Sequence, residues 1–267
     1  MNVNVALPIF NLSASAVLVG LVVGSFLNVC VYRLPRGKSI LRHASHCPAC
    51  DVPIRWYDNI PLVSFLLLRG RCQGCGSRIA WRYPAVEALT GLLFLLTVWR
   101  FGIGVRSVVL LVFLCALVVV TFIDLEHQII PHAITLPGIP LGLIGSLITL
   151  DPSPRDAAVG ALIGAGLVYL VAVYGEVAYK RETMGGGDVN LLAMIGAFLG
   201  WRLMLVSFVL AIVAGACLSL GLIATRVLAR KDQIPFGPFL ALGAVVTLFA
   251  SDRVIDWLLR LLQLNLQ

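Results

Sequence analysis

Two aspartates and four cysteines carry the chemistry available to this sequence. Asp124 stands in "TFIDLEHQIIP" and Asp188 in "ETMGGGDVNLLAMIGAFLG", each at the edge of a long apolar run. A carboxylate beside hydrocarbon is costly unless it is paired, protonated or wet, so such acids are candidates for function. Two carboxylates brought together suppress each other's ionisation, leaving one neutral and one charged. The charged member can take a proton from water while the neutral one donates to a carbonyl oxygen. That is peptide hydrolysis without a covalent intermediate. The bland reading makes each aspartate a helix cap, and Asp188 suits the N-cap of the helix that follows it. Gly185, Gly186 and Gly187 favour more than a cap, because a backbone without Cβ atoms admits a substrate backbone closely. Pro131, Pro137 and Pro140 are expected to interrupt helix after Asp124, placing irregular backbone beside the acids, as it is where a wet cavity lies at membrane depth.

The cysteines form two Cys-x-x-Cys pairs, Cys47/Cys50 in "CPAC" and Cys72/Cys75 in "CQGC", with twenty-one residues between them. Two such turns each present two thiolates, and a tetrahedral zinc ion joins them. Gly74 and Gly76 suit the second turn. His43 and His46 lie close enough to compete as ligands, although four thiolates already complete the shell. Disulfides are the alternative, disfavoured in a reducing compartment. A thioredoxin-like redox pair lacks its surrounding βαβ pattern. Cys30, Cys115 and Cys217 sit singly in apolar runs and read as packing residues.

The elements that must position these groups are membrane helices. Of 267 residues, 60% are hydrophobic and 12% charged, and mean hydropathy is +0.97. Soluble domains carry about 25% charged residues. Spans are expected near 13–31, 85–99, 107–123, 133–149, 157–179, 189–200, 203–225 and 236–250. The expected fold is an all-α polytopic membrane protein of about eight transmembrane helices, with a tight turn at Gly200-Trp201-Arg202. Closed barrels require a period-two alternation that is not found here. Residues 1–32 form a first transmembrane segment, 33–84 a small zinc-ribbon-like loop domain, and 85–267 a multi-helix membrane domain.

Orientation follows from the basic residues. No Lys or Arg precedes Arg33, so the first segment lacks the basic region of a cleavable signal peptide. Nine of the twenty basic residues then crowd into 33–82, which places that stretch in the cytoplasm and the N-terminus outside. Alternate threading puts fourteen basic residues inside, Lys180, Arg181, Arg226, Arg230 and Lys231 among them, and six outside. Asp124 and Asp188, sixty-four residues apart, then share the cytoplasmic depth. The net charge of +7 is mainly this topology signal and can also hold anionic lipid headgroups. No basic stripe is interleaved with aromatics, so nucleic acid is not suggested as a partner.

Six stretches in order resemble the type IV prepilin peptidases, which are bifunctional leader peptidases and N-methyltransferases. They are "GSFLNVCVYRLP" (24–35), the two cysteine pairs, "LRGRCQGCGSRIAWRYPAVEALTG" (68–91), "FIDLEHQIIP" (122–131), "MGGGDVNLLAMIGAFLG" (184–200) and "IPFGPFLALGA" (234–244). Gly185-Gly186-Gly187-Asp188 matches the Gly-x-Gly-Asp motif of that aspartic protease family, and Asp124 stands where its first catalytic aspartate stands. The resemblance implies an inner-membrane enzyme that cuts the basic leader from prepilins and pseudopilins at the cytoplasmic face, just after a glycine. It further implies methylation of the new N-terminal residue, usually phenylalanine, with S-adenosylmethionine. Members that lack the cysteine loop are peptidases without methylation, and this chain keeps the loop.

The methyl-transfer half is less legible. No Gly-x-Gly-x-x-Gly follows a strand, so a cofactor site is not placed by pattern. Glu87 is either a first-turn acid favoured by the helix dipole or an orienter of the amine to be methylated. Asn28 reads equally as a packing hydrogen bond, His127 and His132 as interface histidines or titrating helpers, and Glu126 and Glu182 as solvated acids. The small pairs Gly138/Gly142 and Gly160/Gly164 allow close helix packing. A transporter would place acids near the bilayer centre and show internal repeats. A zinc-ribbon assembly adaptor would use the aspartates only as caps.

Overall fold

The computed structural model describes residues 3–40, 46–179, 185–225 and 234–250. Two compact units divide it, Met1–Phe122 and Ile123–Gln267. His43, Lys180, Arg181, Glu182, Arg226, Arg230 and Lys231 fall outside the described residues. Among the described residues the chain is helical, and its β structure consists of two isolated bridges, His46 with Pro53 and Arg71 with Arg78.

The first unit contains α1 (Val3–Arg33), the short α2 (Val63–Leu67), α3 (Arg82–Phe101) and most of α4 (Val105–His127). Glycines bring α1 and α3 together: a Cβ on Gly20 would lie 2.8 Å from the Gly91 Cα, and one on Gly24 2.8 Å from the Glu87 Cα. In lipid, where apolar surface alone gives helices little reason to associate, such close backbone approach supplies the dispersion contact. Asn28 fastens the same pair, its Nδ2 donating to the Tyr83 carbonyl at 3.0 Å. The segment after α1 turns back at once, because buried Arg33 donates to the carbonyls of Ser39 and Ile40.

In the second unit lie the end of α4, α5 (His132–Thr149), α6 (Pro154–Tyr179), α7 (Gly186–Ala224) and α8 (Gly237–Phe249). Pro137 and Pro140 lie inside α5 without ending it, contrary to expectation. Each removes one N–H from the ladder, a loss that neighbouring helices let membrane helices tolerate. Irregular backbone beside Asp124 is confined to 128–131, where Gln128 takes φ 54° and Pro131 caps α5.

The expected break at Gly200 is present inside α7. Gly200 has φ 76°, left-handed backbone that glycine adopts without strain. The two runs around it form a hairpin. Gly160 of α6 sits against both Gly196 and Trp201, and Gly164 against Leu192. Val171 shares an apolar cavity with Phe208 and Ile212, so the run after Gly200 follows α6 back. Trp201 Nε1 donates to Asp156 Oδ1 at 3.1 Å and pins the reversal to the start of α6. The glycine pairs thus have a packing role: Gly138 and Gly142 of α5 abut Met194 and Ala197–Phe198, as Gly160 and Gly164 abut the same run from α6.

Among the described residues six helices are long and apolar enough to cross a membrane, with α8 a shorter apolar helix. The expected spans 189–200 and 236–250 are therefore short helices, the first reaching only from Gly186 to the break and the second covering 13 residues. At 1.5 Å per residue each is about 20 Å long, against about 30 Å of hydrocarbon.

Candidate active site and metal centre

Both short helices begin at the aspartates. Asp124 is in the last turn of α4 and 4% exposed. Its Oδ2 accepts the backbone N–H of Gly237, the first residue of α8, at 2.9 Å. The first N–H groups of a helix have no partner within it and carry the positive end of its dipole. This one is spent on a carboxylate. Pro238 follows Gly237 in the position where proline suits a helix start.

Asp188 is not the cap that the bland reading supposed. Gly185 occupies the N-cap position of α7 and no side chain caps it; the Asp188 N–H donates back to the Gly185 carbonyl at 3.1 Å. The Asp188 side chain is half-buried, with Oδ1 enclosed and without a hydrogen-bond partner among the described residues. It lies within electrostatic reach of Asp124. Two acids from different helices therefore lie within electrostatic reach of each other, Asp124 held by the Gly237 amide and Asp188 facing the Gly185 amide with its Oδ1 left over.

Of the three glycines, Gly185 and Gly186 are exposed, with little or nothing near where a side chain would stand. Gly187 serves packing instead, since a Cβ there would lie 2.7 Å from the Ile130 Cβ. His127 Nε2 is enclosed without a partner among the described residues, and His132 is exposed with its Nδ1 3.0 Å from Asn190 Nδ2. Glu126 is exposed. Sequence reasoning missed Gly237. Its signal was a glycine before a proline at the start of an apolar run, but a backbone donor has no side chain to give it away.

The cysteines form two turns of the same construction. The Cys47 N–H donates to the Val52 carbonyl and the Asp51 N–H to the Cys47 carbonyl; Cys72 repeats both bonds with Ser77 and Gly76. Asp51 (φ 58°) and Gly76 (φ 69°) take left-handed backbone at the equivalent position. The sulfurs of Cys47, Cys50, Cys72 and Cys75 lie within 4.8 Å of one another. A tetrahedron of thiolates at the zinc–sulfur distance of 2.3 Å has edges of about 3.8 Å, so the set fits zinc with a small contraction. All seven cysteines are free thiols, and Cys30 is buried, Cys115 half-buried and Cys217 exposed. His46 stands outside the cluster, 3.5 Å from Asp51. Burial pushes the Cys47 thiol up, but the Ala49 and Cys50 amides and the Cys72 and Ser77 side chains bring it down to about 6. The Val52 amide lowers Cys50, but desolvation and the three neighbouring sulfurs push it up to about 12.

Glu87 lies in the second turn of α3, so the dipole reading does not apply to it. It is buried, and its Oε2 accepts the Leu62 N–H at 2.9 Å. Leu62 sits at φ 59°, an unusual conformation for a branched apolar residue, and this bond holds it there.

Comparison with known proteins gives the family. The family descriptions that match are "Bacterial Peptidase A24 N-terminal domain" over residues 18–101 and "Type IV leader peptidase family" over residues 111–220. A prepilin leader peptidase/N-methyltransferase of Pseudomonas putida is 36% identical over 261 residues, covering 90% of this chain and 91% of that protein. The like-named protein of Pseudomonas aeruginosa is 36% identical, with 89% and 90% covered. One from Myxococcus xanthus is 45% identical over 197 residues, 74% of this chain but 59% of that longer protein. No solved structure matches. The chain belongs to the type IV leader peptidase family, as an enzyme of the prepilin leader peptidase/N-methyltransferase kind.

Proposed function

We propose that this chain hydrolyses the leader of prepilins and pseudopilins with Asp124 and Asp188, then methylates the new terminal amine with S-adenosylmethionine. The observation that carries the peptidase reading is the pair itself: Asp124 at the end of α4 accepts the Gly237 N–H, and Asp188 in the first turn of α7 lies within its electrostatic reach. A carboxylate that accepts an amide at a helix N-terminus is suited to hold negative charge. Each acid is so placed, Asp124 at the start of α8 and Asp188 in the first turn of α7, so one of them takes the proton of the attacking water while the other, protonated, donates to the scissile carbonyl oxygen. When the tetrahedral intermediate collapses, one hydroxyl returns its proton to the acid that donated as C=O re-forms, and the C–N bond pair goes to nitrogen, which receives the proton taken from water. Exposed Gly185 and Gly186 leave room for the substrate backbone. Helices about 20 Å long in about 30 Å of hydrocarbon set the acids below the lipid surface, where a wet cleft meets the leader from the cytoplasmic side.

The protein is multi-pass in the inner membrane, with its N-terminus periplasmic and 33–84 cytoplasmic, where the basic residues hold lipid headgroups. Cys47, Cys50, Cys72 and Cys75 would hold one zinc ion as a structural cross-link, because four thiolates leave no open coordination position. A bound methyl donor would supply a methyl group to the amine's lone pair, with the C–S bond pair returning to sulfur and the amine's proton passing to a base. The peptidase work belongs to 85–267.

The test is mass spectrometry of a prepilin's N-terminus after incubation with purified protein, with and without S-adenosylmethionine. Loss of the leader under both conditions, with one methyl gained only with the donor, is the expected result. An intact leader with folded protein overturns the reading and favours the adaptor.

A further inference from the structure

We propose that the cavity enclosed by the facing ends of α1 and α3 and the Cys-rich segment binds the methyl donor, an S-adenosyl sulfonium, through Asn28 and Glu87. The inference rests on the methyltransferase reading above. The cavity is about 780 Å³, all its walls come from residues 25–87, and Cys47 and Cys72 stand in the wall on the Cys-rich side. Small-molecule sites measure roughly 300–1,000 Å³.

Two acceptors decide the ligand's charge. Asn28 is 3% exposed, its Nδ2 is spent on Tyr83, and its Oδ1 is enclosed with no partner among the described residues. Leaving such an oxygen without a donor costs about 1–3 kcal/mol, so it suits a ligand that brings one. Glu87, 8% exposed, is bonded by the Leu62 N–H and the Ser25 hydroxyl and lines the same space. A buried carboxylate and an acceptor oxygen lining one cavity favour a cation with N–H groups, which describes a sulfonium together with an α-ammonium. The rest of the lining matches the remaining parts of such a ligand. Tyr32 and Tyr83 offer ring surface to an adenine, and Arg33 and Arg82 offer positive charge to a carboxylate. No Gly-rich phosphate cradle is needed, because the ligand carries no phosphate.

The experiment is isothermal titration of the full zinc-loaded chain in detergent with S-adenosylmethionine and with its neutral thioether, S-adenosylhomocysteine. The wild type is expected to prefer the sulfonium. Glu87→Gln is expected to remove that preference, weakening the sulfonium about tenfold or more while changing the thioether little, and Asn28→Ala is expected to weaken both. Leader cleavage reports whether each variant has folded. Ultraviolet crosslinking of methyl-labelled donor to wild type, followed by peptide mapping, needs no variant and is expected to label residues 25–87. A label beyond Ile123, or a Glu87→Gln protein that keeps the sulfonium preference, overturns the site while the methyltransferase reading stands. A wild type that binds no donor and methylates no product removes that reading itself, and the site with it.

Discussion

Gly237 gives its backbone N–H to Asp124 Oδ2 at 2.9 Å, and a Cβ at position 237 would lie 2.7 Å from that same oxygen. A residue 113 positions away in sequence therefore both holds this carboxylate and leaves it room. The acid of α4 is positioned by the first turn of α8.

Gly237→Ala is expected to fold and to cut slowly. Its methyl group must displace the carboxylate, and a misplacement of about 1 Å at a reacting group can cost about 10²-fold in rate. Single-turnover leader cleavage measures this. An alanine variant cutting at the wild-type rate would show that the contact is not part of the mechanism.

Gly200→Ala tests the hairpin within α7. At φ 76° and ψ 167° the backbone lies in a region essentially reserved for glycine, which costs an L residue on the order of 1–3 kcal/mol, and the new Cβ would lie 3.0 Å from the Pro152 Cβ. The melting temperature in detergent is expected to fall, and Trp201→Phe, which loses the bond to Asp156, is expected to fall by less.

Zinc retention is expected to weaken as pH falls. In the metal-free cluster Cys50 is pushed up to about 12 while Cys47 is brought down to about 6. A zinc ion needs all four thiols deprotonated, so binding releases protons, and lower pH favours the metal-free state. Apparent affinity should drop by about tenfold per pH unit for each proton released. Titration against a chromogenic chelator between pH 8 and 6 reads the slope; affinity independent of pH would contradict thiolate ligation. Cys72→Ser should reduce metal content and loosen the 46–80 segment toward protease.

Much of this was legible because the chemistry lay in side chains at short spacing. The cysteine pairs announced their turns, and the apolar runs flanking Asp124 and Asp188 announced acids at helix ends. What stayed hidden was carried by backbone or by distant contact. Gly237 acts through an N–H, Glu87 holds Leu62 from 25 residues away, and Pro137 and Pro140 sit in intact helix because neighbouring helices support it. Gly200 was legible as a turn, whereas the path of the returning run along α6 needed Gly160 and Val171 to show it.

The central claim, that Asp124 and Asp188 act as one unit, is tested most directly by single-turnover leader cleavage in Asp124→Asn, Asp188→Asn and the double variant. Neither asparagine exchanges the required proton, so each single change should slow cleavage by about 10²–10⁴-fold, and the double should be no slower than the worse single. A single variant that cuts near the wild-type rate, or a double variant showing the full product of the two losses, would contradict the account.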